Sequence, residues 1–91
     1  MKTWEDYKIE AKKISPMVKE DIEMMETVGE IIGAIIAKRY ELNITQRELA
    51  NMCGLPHSSV ARIETYTVVP RIETLLKIMR SLGLTLEVKP L

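Results

Sequence analysis

Apolar residues recur with the spacing of helices along two long stretches of the chain. They stand at positions 28, 31, 32, 35 and 36 in one stretch, and at positions 72, 75, 76, 79 and 82 in the other. A repeat of about 3.6 residues places such positions on one face of a helix. We therefore predict amphipathic helices over about 28–43 and 70–82, which end at Asn43 and Gly83 because these residues tolerate a left-handed backbone.

The N-terminal residues predict further helices. Thr3 followed by Asp6 is typical of a helix start, and we expect a helix over about 4–13. Ser15-Pro16 is a second start signal, because proline is favoured at the first helical position. Apolar positions 17, 18, 22 and 25 follow at helical spacing. This spacing favours packing of these side chains in a core over a methionine-rich surface that adapts to a partner.

The pattern changes near the C-terminus. Apolar positions 84, 86 and 88 alternate with polar positions 85, 87 and 89, and Pro90 follows them. A period of two predicts a short β-strand that ends at the proline. A single strand needs a partner, and we expect it to pair with another chain rather than with an N-terminal segment.

Between the two long helical patterns lies the stretch ITQRELANMCGLPHSSVARIE, residues 44–64. Thr45 and Glu48 have the spacing of a capping box, which predicts a helix over about 46–52. Gly54 supplies the positive φ of a tight turn, and Pro56 begins a second predicted helix. A helix, a glycine turn and a second helix at this spacing form a helix-turn-helix.

The second helix of this motif presents a slim polar face. Its period buries Val60 and Ile63 and turns outward His57, Ser58, Ala61 and Arg62. Such a face fits the major groove of DNA, which is about 12 Å wide. Arg62 offers two donors to the O6 and N7 atoms of guanine. Gln46, at the start of the first helix, is positioned to contact a backbone phosphate.

The charges are divided unevenly between the two ends of the chain. The formal net charge is zero, but residues 1–30 carry 5 Lys and 8 Asp or Glu, whereas residues 31–91 carry 8 Lys or Arg and 5 Glu. The N-terminal part therefore has a net charge of 5 − 8 = −3 and the remainder 8 − 5 = +3. An acidic arm joined to a mildly basic body suggests two different partners.

Several other classes of protein are disfavoured. The single Cys53 cannot form an internal disulfide, no run approaches the ~18–20 apolar residues of a membrane span, and the N-terminus lacks a signal peptide's apolar run. We expect a cytoplasmic protein with no membrane partner. His57, Ser58 and Ser59 diverge by about 100° per residue on a helix and lack an orienting acid. Glu64 is a lone carboxylate, for which a structural role is favoured. We expect no enzyme activity, catalytic residue, metal site or cofactor.

The chain carries a longer pattern, made of Thr45-Gln46-x-x-Leu49-Ala50, Gly54, Ser59-x-x-x-Ile63-Glu64, and a helix from Pro70 to Gly83 with SLGLTLEV at its end. Through this pattern, residues 28–84 resemble the lambda-repressor/Cro-like (Xre-type) helix-turn-helix family. The ending LGLTLEVKP and the short chain further resemble HigA-type antitoxins of toxin–antitoxin pairs. The loop TYTVVP departs from the family because it lacks Asn-Gly and basic residues, and the acidic extension lies outside the family pattern.

The resemblance implies an all-α fold with a five-helix lambda-repressor-like helix-turn-helix domain, and the residue patterns add an N-terminal helical extension and a short C-terminal β-strand. Residues 1–27 would form an acidic helical arm, residues 28–83 the DNA-binding domain, and residues 84–91 a strand for oligomerisation. The residues expected to contact DNA are Thr45, Gln46, His57, Ser58, Ser59, Arg62 and Thr65. Those expected to contact a toxin are Trp4, Tyr7, Glu20, Glu23 and Met24.

The function implied is that of a repressor and antitoxin. A homodimer would bind a palindromic double-stranded operator with its recognition helices ~34 Å apart and regulate its own operon. The acidic arm would cover a HigB-like, mRNA-cleaving toxin, whose RNA site should be basic. Two alternatives stay open: a stand-alone phage or mobile-element regulator whose arm only widens the dimer, and a protein-interaction module that no longer reads DNA.

Overall fold

The computed structural model of the chain describes residue 5 and residues 16–91. Residues 16–91 contain four helices: α1 (Pro16–Glu41), α2 (Gln46–Cys53), α3 (Ser59–Glu64) and α4 (Ile72–Ser81). The predicted all-α helix-turn-helix fold is confirmed, but residues 28–83, the predicted five-helix domain, hold parts of only four helices. The helix predicted over 4–13 lies outside the described residues, apart from Glu5, which is helical.

The long helix α1 joins two stretches that the sequence patterns treat separately, residues 16–27 and 28–43. Thr27 Oγ1 donates to the Glu23 carbonyl at 3.2 Å, so its side chain bonds within the helix instead of capping a new one. Asn43 adopts the predicted left-handed backbone, with φ 55°, just beyond the end of α1. No helix in the described part of the chain is long and apolar enough to cross a membrane.

The chain divides into two compact units, Met1–Ile31 and Ile32–Leu91. In the described residues of the first unit, Ile22 is buried, as its place in the helical stripe predicts. Met24 and Met25 are 60% and 40% exposed. The prediction that position 25 packs in a core is therefore wrong, and the alternative of a methionine surface fits the exposure better.

The core of the second unit is aliphatic. Its buried residues are Ile32, Ile35, Leu49, Ala50, Val60, Ile63, Leu75, Ile78, Met79 and Leu82. They come from all four helices and the residue after α4, and α2 packs against both α3 and α4. Full burial of one such large side chain contributes about 1.5–3 kcal/mol. The apolar face predicted for α4 is confirmed except at Ile72, which is 51% exposed at the start of the helix.

Residues 84–91 have no regular secondary structure, so the predicted C-terminal β-strand is wrong for the single chain. Gly83 adopts φ 76° beyond the end of α4, and the Leu84 N–H bonds to the Met79 carbonyl at 2.7 Å. The physical reason is the lack of a ladder partner within the described residues: a period of two orients side chains, but a strand also requires hydrogen bonds to a second strand.

Candidate nucleic-acid interface

The first helix of the motif, α2, is fixed at both ends by local hydrogen bonds. Thr45 Oγ1 accepts from the Glu48 N–H at 3.0 Å, and the Thr45 N–H donates to Glu48 Oε1 at 3.3 Å, which confirms the predicted capping box. At the other end, Gly54 adopts φ 67°, and the Leu55 N–H bonds to the Ala50 carbonyl at 2.9 Å. Thr45 is exposed, and its hydroxyl hydrogen stays available to a phosphate.

The second helix of the motif begins later than predicted. Pro56 does not start α3; a turn at residues 57–58 comes first, closed by a hydrogen bond from the Ser59 N–H to the Pro56 carbonyl at 3.0 Å. Ser58 precedes the helix with helical angles, φ −82° and ψ −8°, so its hydroxyl makes no capping hydrogen bond. Ser58 is exposed just before the first residue of α3, and its hydroxyl is available to a partner outside the chain.

The two faces of α3 separate buried from exposed side chains. Val60 and Ile63 are buried, as predicted, whereas Ala61 is half-buried rather than turned fully outward. Arg62 is exposed, and within the described part of the chain its guanidinium has no hydrogen bond or ion pair. The buried face of α3 holds the helix in place, and the guanidinium of Arg62 on the opposite face has donors available. This arrangement suits a group that binds an acceptor from another molecule.

Arg62 borders a groove of about 240 Å³ between α3 and the start of α4. The residues that line it are Leu55, Ser59, Arg62, Ile63, Val68, Pro70 and Thr74. The loop on the far side of the groove exposes two apolar side chains, since Val68 and Val69 are 42% and 66% exposed. The groove therefore combines two predicted DNA-contacting residues, Ser59 and Arg62, with an apolar wall.

His57 is held by two side chains of α2. Its Nδ1 accepts a hydrogen bond from Arg47 Nε at 3.2 Å, and its Nε2 lies 2.9 Å from Asn51 Oδ1. Since the guanidinium of Arg47 only donates, the hydrogen bonds assign the ring proton to Nε2, which donates to Asn51. Both ring nitrogens are thus engaged in the free protein. In the described ranges, no group of His, Cys, Asp and Glu is arranged to hold a metal ion.

Gln46 belongs to a buried polar network at the base of the motif. Arg39 Nε and Nη2 donate to Glu64 Oε2 and Oε1, both at 2.7 Å, and Gln46 Nε2 donates to the same Oε1 at 3.0 Å. Arg39 Nη1 donates to the Ile44 carbonyl at 3.0 Å. The network fixes which end of the Gln46 amide points inward, and the second hydrogen on its nitrogen stays available to a phosphate.

The ion pair in this network is shielded from water. The side chains of Arg39 and Glu64 are 8% and 6% exposed. The hydrogen bonds from Arg39 to Glu64 raise the pKa of the guanidinium above its ordinary value, against the lowering effect of burial. The structural role expected for Glu64 is therefore supported, and its partners are the side chains of Arg39 and Gln46.

Thr65 caps the C-terminal end of α3. Its Oγ1 donates to the Ala61 carbonyl at 2.9 Å and lies 2.8 Å from Thr67 Oγ1. Tyr66 follows with a left-handed backbone, φ 59°, and its side chain is 54% exposed. Thr65 is exposed, but its hydroxyl hydrogen is donated to the Ala61 carbonyl. Toward a group of another molecule, this hydroxyl can therefore only accept a hydrogen bond.

Sequence reasoning missed Arg39, Arg47 and Asn51. Arg39 had a usable signal, since it follows Ile35 by four residues on the buried face of α1 and a charge there requires a buried partner. Arg47 and Asn51 also stand four residues apart, on the exposed face of α2, but nothing in their spacing indicates that His57 bridges them.

The residues predicted to contact a toxin are only partly described. Trp4 and Tyr7 lie outside the described residues. Glu20, Glu23 and Met24 are exposed on α1, in the first unit. They place two carboxylates and a flexible apolar side chain on one short stretch of helix surface.

The chain is similar to a family of helix-turn-helix domains, to one transcriptional regulator and to a chain of a toxin–antitoxin module. The helix-turn-helix family matches residues 35–89. An uncharacterized HTH-type transcriptional regulator of Haemophilus influenzae is 39% identical over 61 residues, which are 67% of this chain and 62% of that protein. The chain thus spans less than two thirds of that relative's length.

A solved structure of a toxin–antitoxin module from Streptococcus pneumoniae includes a chain with the same fold. The two chains are 34% identical with a TM-score of 0.69, and the match covers 100% of this chain and 94% of the other. It extends over residues 1–34, which the helix-turn-helix family match leaves out.

Proposed function

The chain belongs to the helix-turn-helix (Xre-type) family, and from this we propose that it is a sequence-specific DNA-binding repressor that also acts as an antitoxin. It would neutralise an mRNA-cleaving toxin of the HigB type and repress its own operon. The observation that carries the DNA-binding part is the exposed Arg62, which has no hydrogen bond or ion pair among the described residues and lies on a helix whose opposite face is buried. The protein would bind its operator in the cytoplasm.

The DNA contacts divide between base reading and positioning. Arg62 would donate to guanine in the major groove, with Ser58 and Ser59 beside it at the start of α3. Gln46 and Thr45, at the N-terminal end of α2, would bind a phosphate together with the helix-end N–H groups. His57 would contact DNA after exchanging one of its two internal hydrogen bonds, and Thr65 would accept from a water or amino group.

A homodimer would present two such faces to a palindromic operator, with the recognition helices about 34 Å apart. The low net charge fits this function. A formal charge of zero keeps the affinity for non-specific DNA low, so the local field of exposed arginines and the base contacts decide where the dimer binds.

The acidic N-terminal residues would bind the toxin. Glu20 and Glu23 carry exposed carboxylates, and the neighbouring Met24 is 60% exposed. A surface that binds RNA is basic, so carboxylates complement it, and methionine adapts its shape to a partner. The match to a chain of a toxin–antitoxin module over the whole length, arm included, supports this assignment.

Two experiments test the proposal. In a mobility shift, the purified protein should bind the DNA upstream of its own gene with an affinity at least a thousandfold above that for unrelated DNA. If both DNAs bind alike, or neither binds, the protein-interaction module becomes the better interpretation. Co-expression with the neighbouring reading frame should restore growth that this frame alone inhibits, and the two proteins should co-purify.

A stand-alone regulator is the second candidate, favoured by the similarity to an HTH-type transcriptional regulator. It shares the DNA-binding part and lacks the toxin. A neighbouring frame that does not inhibit growth, together with specific operator binding, would establish this candidate over the antitoxin.

A further inference from the structure

The guanidinium of Arg47 is held through one of its nitrogens and open at the other two. Its Nε donates to His57 Nδ1 at 3.2 Å, and the side chain is exposed on α2. Within the described residues, the Nη atoms of Arg47 make no hydrogen bond or ion pair. The carboxylate of Glu48, the next residue, accepts from the Thr45 N–H instead. The N–H donors on the Nη atoms are therefore available to an acceptor outside the chain.

We propose that Arg47 binds a phosphate of the operator backbone and that His57 is its positioning residue. The inference rests on the proposed function, and it gives His57 a task that does not depend on reading a base. The ligand is a phosphodiester of duplex DNA, whose two free oxygens match the planar donors of a guanidinium.

The hydrogen bond to His57 sets the guanidinium beside two positions that are proposed to contact DNA. Arg47 follows Gln46 at the start of α2, and His57 comes directly before Ser58, which precedes α3. Although Arg47 and His57 stand ten residues apart, their hydrogen bond joins the first turn of α2 to the segment that leads into α3. A cation at this place would face the sugar-phosphate backbone beside the groove that α3 enters.

Asn51 selects the tautomer of His57 that this role requires. Asn51 Oδ1 lies 2.9 Å from Nε2 and accepts the ring proton there, which leaves the lone pair of Nδ1 for Arg47. A phosphate only accepts hydrogen bonds, so His57 can bind one only through Nε2–H. That exchange would replace the bond to Asn51 and keep the bond from Arg47. The positioning of Arg47 is therefore compatible with a DNA contact by His57 itself.

Removing the charge of Arg47 tests the phosphate contact in the full-length protein. Arg47→Gln should weaken binding to the operator and to unrelated DNA alike, by about tenfold, because every duplex carries the same phosphates. The slope of log affinity against log salt concentration should become less steep by about 0.9 for each bound protomer. Arg80→Gln removes the same charge from an exposed position of α4, and this matched control should leave the slope unchanged.

Two substitutions of His57 test the positioning role. His57→Asn keeps an acceptor oxygen near the place of Nδ1, whereas His57→Leu has no acceptor. Adding Arg47→Gln should therefore still weaken operator binding by about tenfold in the His57→Asn background, but by less than about twofold in the His57→Leu background. Mobility shifts at one salt concentration measure these effects, and thermal unfolding verifies that each variant is folded.

Three results would overturn the proposal. An unchanged salt slope in Arg47→Gln would remove the phosphate contact, and a loss confined to the operator would mean that Arg47 reads a base. An equal effect of Arg47→Gln in the two His57 backgrounds would remove the positioning role. Failure of the proposed function looks different, because the wild-type protein itself would then bind the operator no more tightly than unrelated DNA.

Discussion

At the scale of single residues, the guanidinium of Arg39 is the polar centre of an otherwise aliphatic core. It is 7% exposed and donates to Glu64 and to the Ile44 carbonyl, so it connects α1 to α3 and to the start of the motif. Removing one member of a buried ion pair leaves the other charge without compensation. This pair is therefore the most sensitive polar contact in the described residues of the second unit.

Glu64→Gln should lower the free energy of unfolding by about 3 kcal/mol, measured by denaturant titration. The double variant Arg39→Met, Glu64→Leu should recover part of this loss, because neither charge is then buried. The raised pKa of Arg39 means that its share of the stability is fully present below the ordinary arginine pKa. This share should not decline through the neutral and moderately alkaline range. A Glu64→Gln protein as stable as wild type would contradict the argument.

Arg62→Ala should lower the operator affinity by about 1–3 kcal/mol while leaving toxin binding and thermal stability unchanged, since the guanidinium makes no hydrogen bond or ion pair in the described part of the chain. Arg80→Ala removes the same charge from the exposed end of α4 and is the matched control. Quantitative mobility shifts with operator and unrelated DNA provide the comparison. Equal losses for the two variants would show that Arg62 contributes only general charge.

At the scale of elements, the turn between α2 and α3 depends on the backbone freedom of one glycine. Gly54 has a left-handed backbone, φ 67°, and a Cβ placed there would meet nothing within 4 Å. The requirement for glycine is therefore conformational, without a steric clash. Gly33, in the middle of α1, also has open space around it but a helical backbone.

Alanine substitutions at these two glycines should change the stability of the protein in opposite directions. Gly54→Ala should destabilise the protein by about 1 kcal/mol, because alanine disfavours the left-handed region. Gly33→Ala should stabilise it by about 0.5–1 kcal/mol, because alanine is the better helix former. Thermal unfolding of both variants measures the difference. A stabilising Gly54→Ala would mean that the turn does not require this backbone in solution.

At the scale of the whole molecule, the chain has two compact units and an uneven distribution of charge. The proposed division of labour gives the acidic unit to a toxin and the basic unit to DNA. Charge reversal on the exposed surface of α1 tests it without truncating a helix that continues into the second unit.

Glu20→Lys, Glu23→Lys should weaken toxin binding by about tenfold or more, because like charges would face the basic RNA site. Operator affinity of the free protein should change less than threefold. Glu41→Lys, at the other end of α1, is the control and should leave toxin binding intact. Calorimetry with the purified toxin measures the first effect. A double variant that binds the toxin as tightly as wild type would remove the assigned role from these carboxylates.

Local chemistry accounts for the features that were correctly predicted. The capping box of Thr45 and Glu48, the left-handed backbone at Gly54 and the burial of Val60 and Ile63 depend on residues a few positions apart, whose preferences act within one turn or one helix face. The features that required coordinates involve groups far apart in the chain. Arg39 meets Glu64 across 25 residues, and the alternating residues 84–88 lack a partner strand, because hydrogen bonds and packing between distant segments follow from three-dimensional proximity, which periodicity does not encode.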